Sequence, residues 1–308
     1  MSVSPGPLVS IITPTFNRCE FLAETIESVR AQDYQNFEHI VIDDGSTDKT
    51  PGLLARYQPS IRAITQENRG EHATVNRGFE LAKGEIVAVV NSDDPLLPGA
   101  ISRAVEFLSR HPEVLVAYPD WRIIDEHSRP VREIRVAEYD PVRLFVQHDC
   151  CVGPGAFIRR AAIQAVGGRN EHYRYVSDYD FWLRIARHGT LARIPATLAS
   201  WRSHSGGATS AGRGGAMARE HVELIRAHFG DPTLPKELSR RRREALGWAH
   251  YAAAYHSSSF VRRSWHVGRF VAIRPTNLAS WWQRMRQEKP NMNRLGLIAR
   301  RLMRTPKA

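Results

Sequence analysis

One stretch constrains this chain more than any other. Glu85-Ile86-Val87-Ala88-Val89-Val90 runs without a break into Asn91-Ser92-Asp93-Asp94. A short, continuous apolar run rich in β-branched residues reads as a strand buried on both faces, as in a mainly parallel sheet. Open α/β sheets bind ligands at the carboxyl ends of their strands. Two adjacent carboxylates there place acceptor-only oxygens where a hard cation and a phosphorylated ligand would lie. The plainer reading is a turn and a helix cap, since Asp94-Pro95 suits a turn and Pro98 can open a helix. The neighbouring segments favour the ligand reading.

Those segments alternate in period. Leu8–Ile12 is a short apolar strand, followed by helical spacing over Phe21–Gln32 with Leu22, Ile26 and Val29 on one face. His39–Ile42 is a second strand, ending at Asp43-Asp44-Gly45-Ser46-Thr47-Asp48. A helix from Lys49, a strand at Ile61–Ile64 and a helix over Ala73–Lys83 lead to the opening strand. This β-α-β-α-β-α-β order predicts an α/β fold with a right-handed, Rossmann-like, mainly parallel sheet flanked by helices. Further on, the pattern predicts a helix from Pro98 to Arg110 and a strand at Val114–Tyr118. It adds a hairpin over Asp120–Val136, a strand at Ala156–Ile158 and a helix over Ala161–Val166 stopped by Gly167-Gly168. A helix entered at Ser177 or Asp178 and a strand at Leu198–Arg202 complete this part. The turn after the first strand, Thr13-Pro14-Thr15-Phe16-Asn17-Arg18, has neither Gly-x-Gly-x-x-Gly nor Gly-Lys-Ser/Thr. A bound diphosphate therefore needs another holder, and a metal on Asp93 and Asp94 supplies one.

Charge divides the 308 residues. Residues 1–212 carry a net −3 and residues 213–308 a net +14. The expected organisation is a disordered N-terminus at 1–7, a catalytic domain at 8–212 and a basic helical extension at 213–308. No apolar stretch approaches the roughly 20 residues that span a bilayer, and the first residues lack a secretory pattern. Three cysteines, Cys19, Cys150 and Cys151, without zinc-site spacing suit a reducing compartment. A cytoplasmic protein is expected.

Residues 8–210 resemble the family 2 glycosyltransferases of the GT-A fold. The resemblance rests on Val-Ser-Ile-Ile-Thr-Pro-Thr-Phe-Asn-Arg at 9–18 and Val-Ile-Asp-Asp-Gly-Ser-Thr-Asp at 41–48. Asn-Arg-Gly at 68–70 with Asn76 and Gly78, Ala-Lys-Gly-Glu-Ile at 82–86 and Asn-Ser-Asp-Asp at 91–94 follow in order. Asp-Tyr-Asp-Phe-Trp-Leu-Arg at 178–184 and Trp-Arg-x-His at 201–204 complete it. It implies inverting transfer of a sugar from a nucleotide-diphosphate sugar to a saccharide or lipid-linked acceptor, in surface polysaccharide or glycolipid assembly. By this resemblance Pro14, Thr15 and Asp44 line the base and ribose, and Asn68 lies in the loop beside the nucleotide. The family's metal motif often begins with Asp where this chain has Asn91. The resemblance therefore assigns a ribose contact to Asn91, and Mg²⁺ or Mn²⁺ to Asp94, Asp93 and His204. Asp178 becomes the base for the acceptor hydroxyl, although Ser177 replaces the Glu common before it. Asp178 and Asp180 point roughly 200° apart on a helix, so one of them faces the cleft. Asp178 doubles as an N-cap or first-turn acid favoured by the helix dipole, and Asp180 is structural.

The extension reads as helices at Ala245–Tyr255, Phe260–Ile273, Leu278–Arg286 and Arg294–Arg304, with Trp281-Trp282 among basic residues. Two readings stand open: an interfacial anchor to an anionic membrane surface, or a packed helical hairpin with a solvated basic face. Nucleic acid is disfavoured, because no recognisable module for it is present. Two rival functions are a sugar nucleotidyltransferase and an inactive nucleotide-binding scaffold. The first would need a Gly-rich triphosphate loop after the first strand.

Overall fold

The computed structural model describes residues 6–204, 214–257 and 259–273. Expectations for residues 1–5, the polar loop at 205–210, Trp281-Trp282 and the helices at 278–286 and 294–304 lie outside them. Gly6 and Pro7 belong to the ordered structure, contrary to the expected disorder. Their carbonyls accept hydrogen bonds from Asn36 Nδ2 and Tyr34 Oη, both at 2.6 Å.

The first half follows the predicted alternation: β1 (Val9–Thr15), α1 (Cys19–Arg30), β2 (Phe37–Asp43), α2 (Thr50–Tyr57), β3 (Arg62–Thr65), α3 (Glu71–Leu81) and β4 (Ile86–Val89). These strands pair in parallel in the order β3-β2-β1-β4. Then come α4 (Ala100–Arg110), β5 (Val114–Ile124), β6 (Pro130–Ile134), β7 (Phe157–Arg159), α5 (Arg160–Val166), α6 (Ser177–Ile185) and β8 (Thr190–Arg202). Strand β7 inserts antiparallel between β4 and β5, while β8 runs parallel to β5. The sheet is thus mixed and mainly parallel, as the alternation predicted.

Packing follows from the apolar pattern. Val9 and Ile11 of β1 and Ile86 and Ala88 of β4 share a core with Ile101, Ala104, Val105 and Leu108 of α4. Helix α3 approaches β1 closely at Gly78, where a Cβ would lie 2.4 Å from Ile12 Cγ2. That contact explains Gly78 without any ligand.

Strand β8 begins eight residues before its predicted start. Arg193 and Pro195 interrupt the apolar pattern there. Arg193 is nevertheless buried, because its Nε donates to Asp120 Oδ1 at 2.8 Å and its Nη2 reaches the other oxygen of the same carboxylate. A bidentate partner on β5 makes a buried charge tolerable, and that partner is remote in sequence.

His39 of β2 is 3% exposed, with Nε2 3.0 Å from Thr13 Oγ1. Burial lowers its pKa from 6.5 to about 3. The folded state therefore resists protonation while the unfolded chain accepts it, so stability is lost as pH falls below about 6.5. Between pH 7 and pH 5 this one group is expected to cost about 2 kcal/mol. Urea unfolding of wild type and His39→Gln at both pH values checks it. An undiminished pH difference in the variant would contradict the assignment.

Residues 145–148, 214–257 and 259–273 belong to a second, helical unit. It contains α7 (Gly214–His228), α8 (Lys236–Ser239), α9 (Arg242–His256) and α10 (Phe260–Ile273). Small residues on α9, including Ala245, Ala249 and Ala253, are fully buried. Gly247 lets α10 approach closely: a Cβ there would meet Ile273 Cγ2 at 3.2 Å. Among the described residues no helix is long and apolar enough to cross a membrane.

Candidate active site

The site is built at the carboxyl ends of β1, β2, β4 and β8. After β4 the chain turns through Asn91-Ser92-Asp93-Asp94, closed by Asp94 N–H donating to the Asn91 carbonyl at 3.1 Å. Thr25 Oγ1 of α1 donates to the Ser92 carbonyl at 3.1 Å and holds the turn from behind. The turn sends its two carboxylates in different directions.

Asp94 faces inward and is 5% exposed. One oxygen accepts the Arg202 N–H at 2.8 Å, and the other accepts Asn91 Nδ2 at 3.0 Å. Burial, reinforced by the charge of Asp93, pushes its pKa up to about 7. Asp93 faces outward. Its Oδ2 lies 3.0 Å from His204 Nε2 and 3.8 Å from Arg18 Nε. The His204 ring stands edge-on to Phe21, with centroids 4.8 Å apart.

Arg202 organises this arrangement. Its Nε donates to the Asp93 carbonyl at 3.0 Å, and its Nη1 to the Asp125 carbonyl and Ser128 Oγ at 3.1 and 2.9 Å. Nη2 donates to Glu24 at 2.6 Å, and the guanidinium carbon lies 4.8 Å from the Phe21 ring centroid. Four segments, α1, the Asp93 turn, the β5–β6 turn and the end of β8, meet on one buried cation.

These contacts correct the expected metal set. Asp93, Asp94 and His204 do not form a three-ligand centre, and no three His, Cys, Asp or Glu among the described residues do. Asp94 is turned away because backbone and amide donors occupy both its oxygens. Asp93 and His204 remain together. A divalent ion that binds chiefly through a substrate's phosphates takes only one or two protein ligands. A carboxylate oxygen and an imidazole nitrogen 3.0 Å apart fit that need.

At β2 the two carboxylates also part. Asp44 holds the 66–70 loop: Oδ1 accepts Gln66 Nε2 at 2.7 Å and Arg69 N–H at 2.9 Å, and Oδ2 accepts Gly70 N–H at 2.8 Å. Asn68 in that loop is exposed. Gly45, at φ +77°, allows the close approach, since a Cβ would lie 3.0 Å from the Asn68 nitrogen. Asp43 is fully buried and uses Oδ1 for the Ser46 N–H at 3.0 Å. Its Oδ2 has no hydrogen-bond partner among the described residues, and neither has Thr15 Oγ1. Thr15 and Asp43 are register partners on β1 and β2. Pro14 is buried within β1, one residue before Thr15.

Asp178 stands in the first turn of α6 and is exposed. Of the two helix-end positions expected for it, Asp178 takes the first turn and not the N-cap. Val176 occupies that position without a side-chain bond, and Asp178 Oδ1 accepts the Tyr179 N–H at 2.7 Å. Asp180 is buried and paired with Arg184 at 2.7 Å. Arg184 also donates to the Val166 and Gly168 carbonyls, both at 2.6 Å.

Residues 10–167, more than half the chain, match the family described as Glycosyl transferase family 2. The chain belongs to glycosyl transferase family 2. A protein of Mycobacterium tuberculosis is 30% identical over 276 residues, covering 80% of this chain and 83% of its own. An uncharacterised glycosyltransferase of Rickettsia typhi is 30% identical over 190 residues, and the match spans 59% of each chain. The chain thus spans about three fifths of that relative's length. Among solved structures, S. aureus TarS 1-349 in complex with UDP-GlcNAc superposes with a TM-score of 0.60 at 18% identity, covering 89% of this chain and 91% of that one. The mannosyltransferase PcManGT of Pyrobaculum calidifontis, in complex with GDP-Man and Mn²⁺, gives 0.58 at 20% identity, covering 91% and 90%. At these identities the likeness shows the GT-A fold.

Four residues of the candidate site received no role of their own in the sequence reading: Arg18, Glu24, Asp43 and Arg202. Arg18, Asp43 and Arg202 lay within quoted motifs without a role of their own. Glu24 carried no signal, because its partner Arg202 lies 178 positions away.

Proposed function

We propose that the chain transfers a sugar from a nucleoside-diphosphate sugar to an acceptor hydroxyl with inversion at the anomeric carbon. The Asp93–His204 pair at the end of β4 carries the proposal. Thr15 and the unpartnered Asp43 oxygen offer an acceptor and a hydroxyl for the nucleoside, beside Asp44 and Pro14. Asn91 positions the turn, and Asn68 lies in the loop that Asp44 holds. Asp178 is the base: its exposed carboxylate takes the acceptor hydroxyl proton as oxygen attacks carbon. Asp93 and His204 would hold Mg²⁺ or Mn²⁺, which when bound offsets the charge of the leaving diphosphate. Arg18 adds a second cation beside Asp93.

TarS and PcManGT bind UDP-GlcNAc and GDP-Man respectively, which makes those two donors the first probes. A Myxococcus xanthus relative named O-antigen biosynthesis protein RfbC, 29% identical over 239 residues, supports a place in surface polysaccharide or glycolipid assembly. The match covers 18% of that protein. A cytoplasmic-face location, with the basic extension on an anionic membrane, completes the reading.

The test incubates the protein with UDP- and GDP-sugars and follows nucleoside-diphosphate release, with and without chelator. Turnover is expected with Mg²⁺ or Mn²⁺ and should vanish in chelator. Asp93→Asn should lose most turnover with an unchanged melting temperature, because Asp93 is the outward carboxylate. Asp94→Asn should instead lower the melting temperature. Full turnover in chelator would reject the metal assignment, and neither binding nor cleavage of any donor would reject the transferase reading.

A further inference from the structure

The helical unit has a cavity of its own, about 580 Å³ in volume. Arg219, Val222, Glu223 and Arg226 line it from α7 at i, i+3, i+4 and i+7, the spacing of one helix face. Helix α10 contributes Val261, Arg262 and Trp265. His250 and His266, 2% and 8% exposed, complete the lining. Their Nδ1 atoms lie 3.0 Å apart, and burial lowers both pKa values, that of His250 to about 4. Both rings are therefore neutral at physiological pH and partner one another. The positive charge of the lining rests on three guanidinium groups, against one carboxylate.

The apolar part of this lining continues onto the outer surface of the same unit. Six large hydrophobic residues are exposed among the described residues, and four of them, Tyr255, Phe260, Val261 and Trp265, lie on α9 and α10. Val261 is 75% exposed and Phe260 67%. Single exposed apolar residues are ordinary, but several on one short hairpin mark a contact surface. Arg269 stacks on the Trp265 ring at 5.8 Å, placing another cation beside the apolar face.

A ligand for this site must be apolar along one part and anionic at the other. Guanidinium groups recognise phosphate through paired N–H donors. Valine and tryptophan offer no such donors except the indole N–H, so they suit a hydrocarbon chain. A nucleic acid would leave the apolar walls uncovered. A free sugar nucleotide would find a single carboxylate for its base and hydroxyls. A cavity of this size accommodates a headgroup and the adjoining chain segment.

We propose that this cavity and the exposed face of α10 dock on an anionic phospholipid surface. The lipid phosphate sits against Arg219, Arg226 and Arg262, and its chain against Val222, Val261 and Trp265. This deepens the membrane part of the proposed function and does not depend on the transfer reaction. It places the contact on α7 and α10, apart from the tryptophan pair at 281–282 on which the sequence reading relied.

The test uses the full chain and vesicles of phosphatidylcholine with or without phosphatidylglycerol. Two triple variants are compared at one salt concentration. Arg219→Glu/Arg226→Glu/Arg262→Glu reverses the cavity charge. Arg240→Glu/Arg242→Glu/Arg243→Glu makes the same change at exposed positions outside it. Each basic residue near an anionic leaflet contributes measurably, so the cavity variant should lose about tenfold or more of its vesicle affinity. The control should lose about threefold or less. Val261→Ser/Trp265→Ser, which keeps every charge, should also weaken binding. Melting temperatures and nucleoside-diphosphate release establish that each variant is folded and that the transfer site is intact. Equal losses in the two triple variants would overturn the assigned site while leaving membrane association standing. No preference of the intact protein for phosphatidylglycerol would overturn both.

Discussion

Asp178→Asn is expected to lower turnover by about 10²–10⁴-fold while donor affinity stays unchanged. The expectation rests on how α6 is held. Phe181 stacks on Phe79 of α3 with ring centroids 5.5 Å apart. Tyr179 Oη donates to the Leu144 carbonyl, and Arg184 ties the helix to the Val166 and Gly168 carbonyls. On this fixed helix Asp178 is the carboxylate that solvent and an acceptor can reach. Asp180, 4% exposed and paired with the half-buried Arg184, is shut off from solvent and spent on that pair. Asp180→Asn should therefore act on stability, costing about 2 kcal/mol, as losing a hydrogen bond between charged groups does. Steady-state kinetics, donor titration calorimetry and melting temperatures of both variants separate the two roles. A fully active Asp178→Asn, or an inactive but fully stable Asp180→Asn, would show that the base has been assigned to the wrong residue. Retained anomeric configuration in the product would reject the single-base mechanism.

Arg202→Met should be the most damaging single substitution around the Asp93 turn. It removes donors from two carbonyls, a hydroxyl and a carboxylate in one step. A buried polar atom left without a partner costs about 1–3 kcal/mol. Glu24 is 43% exposed and regains water, so its share is small. A total of about 3 kcal/mol is expected, a fall of roughly 10 °C in melting temperature for a unit of this size. Lysine should not rescue it, because a single ammonium cannot span the four acceptors that the guanidinium fork reaches. Turnover at a temperature where the variant is still folded should also fall, since the Asp93 carbonyl is one of the freed acceptors. A melting temperature within about 2 °C of wild type would refute the organising role.

Local patterning carried much of the fold. The β1-α1-β2-α2-β3-α3-β4 alternation was legible because each element repeats its apolar residues with its own period. Helix α10 was also legible over Phe260–Ile273. The first half of β8 was not. Its Arg193 is neutralised by Asp120, 73 positions away, and a pattern of neighbouring residues contains no trace of that partner.

The candidate site divides in the same way. The sequence by itself determined that carboxylates stand at the ends of β2 and β4, because strand burial and the following turn are local matters. It could not decide which member of each pair is taken up by protein donors and which is left open. Tertiary structure turned Asp94 inward, because the Arg202 N–H arrives from a strand 108 positions later. It left Asp93 outward beside His204. At β2 it spent Asp44 on the 66–70 loop and left an oxygen of Asp43 without a partner. Two adjacent acids are equivalent as letters; the donors that folding brings to them are not.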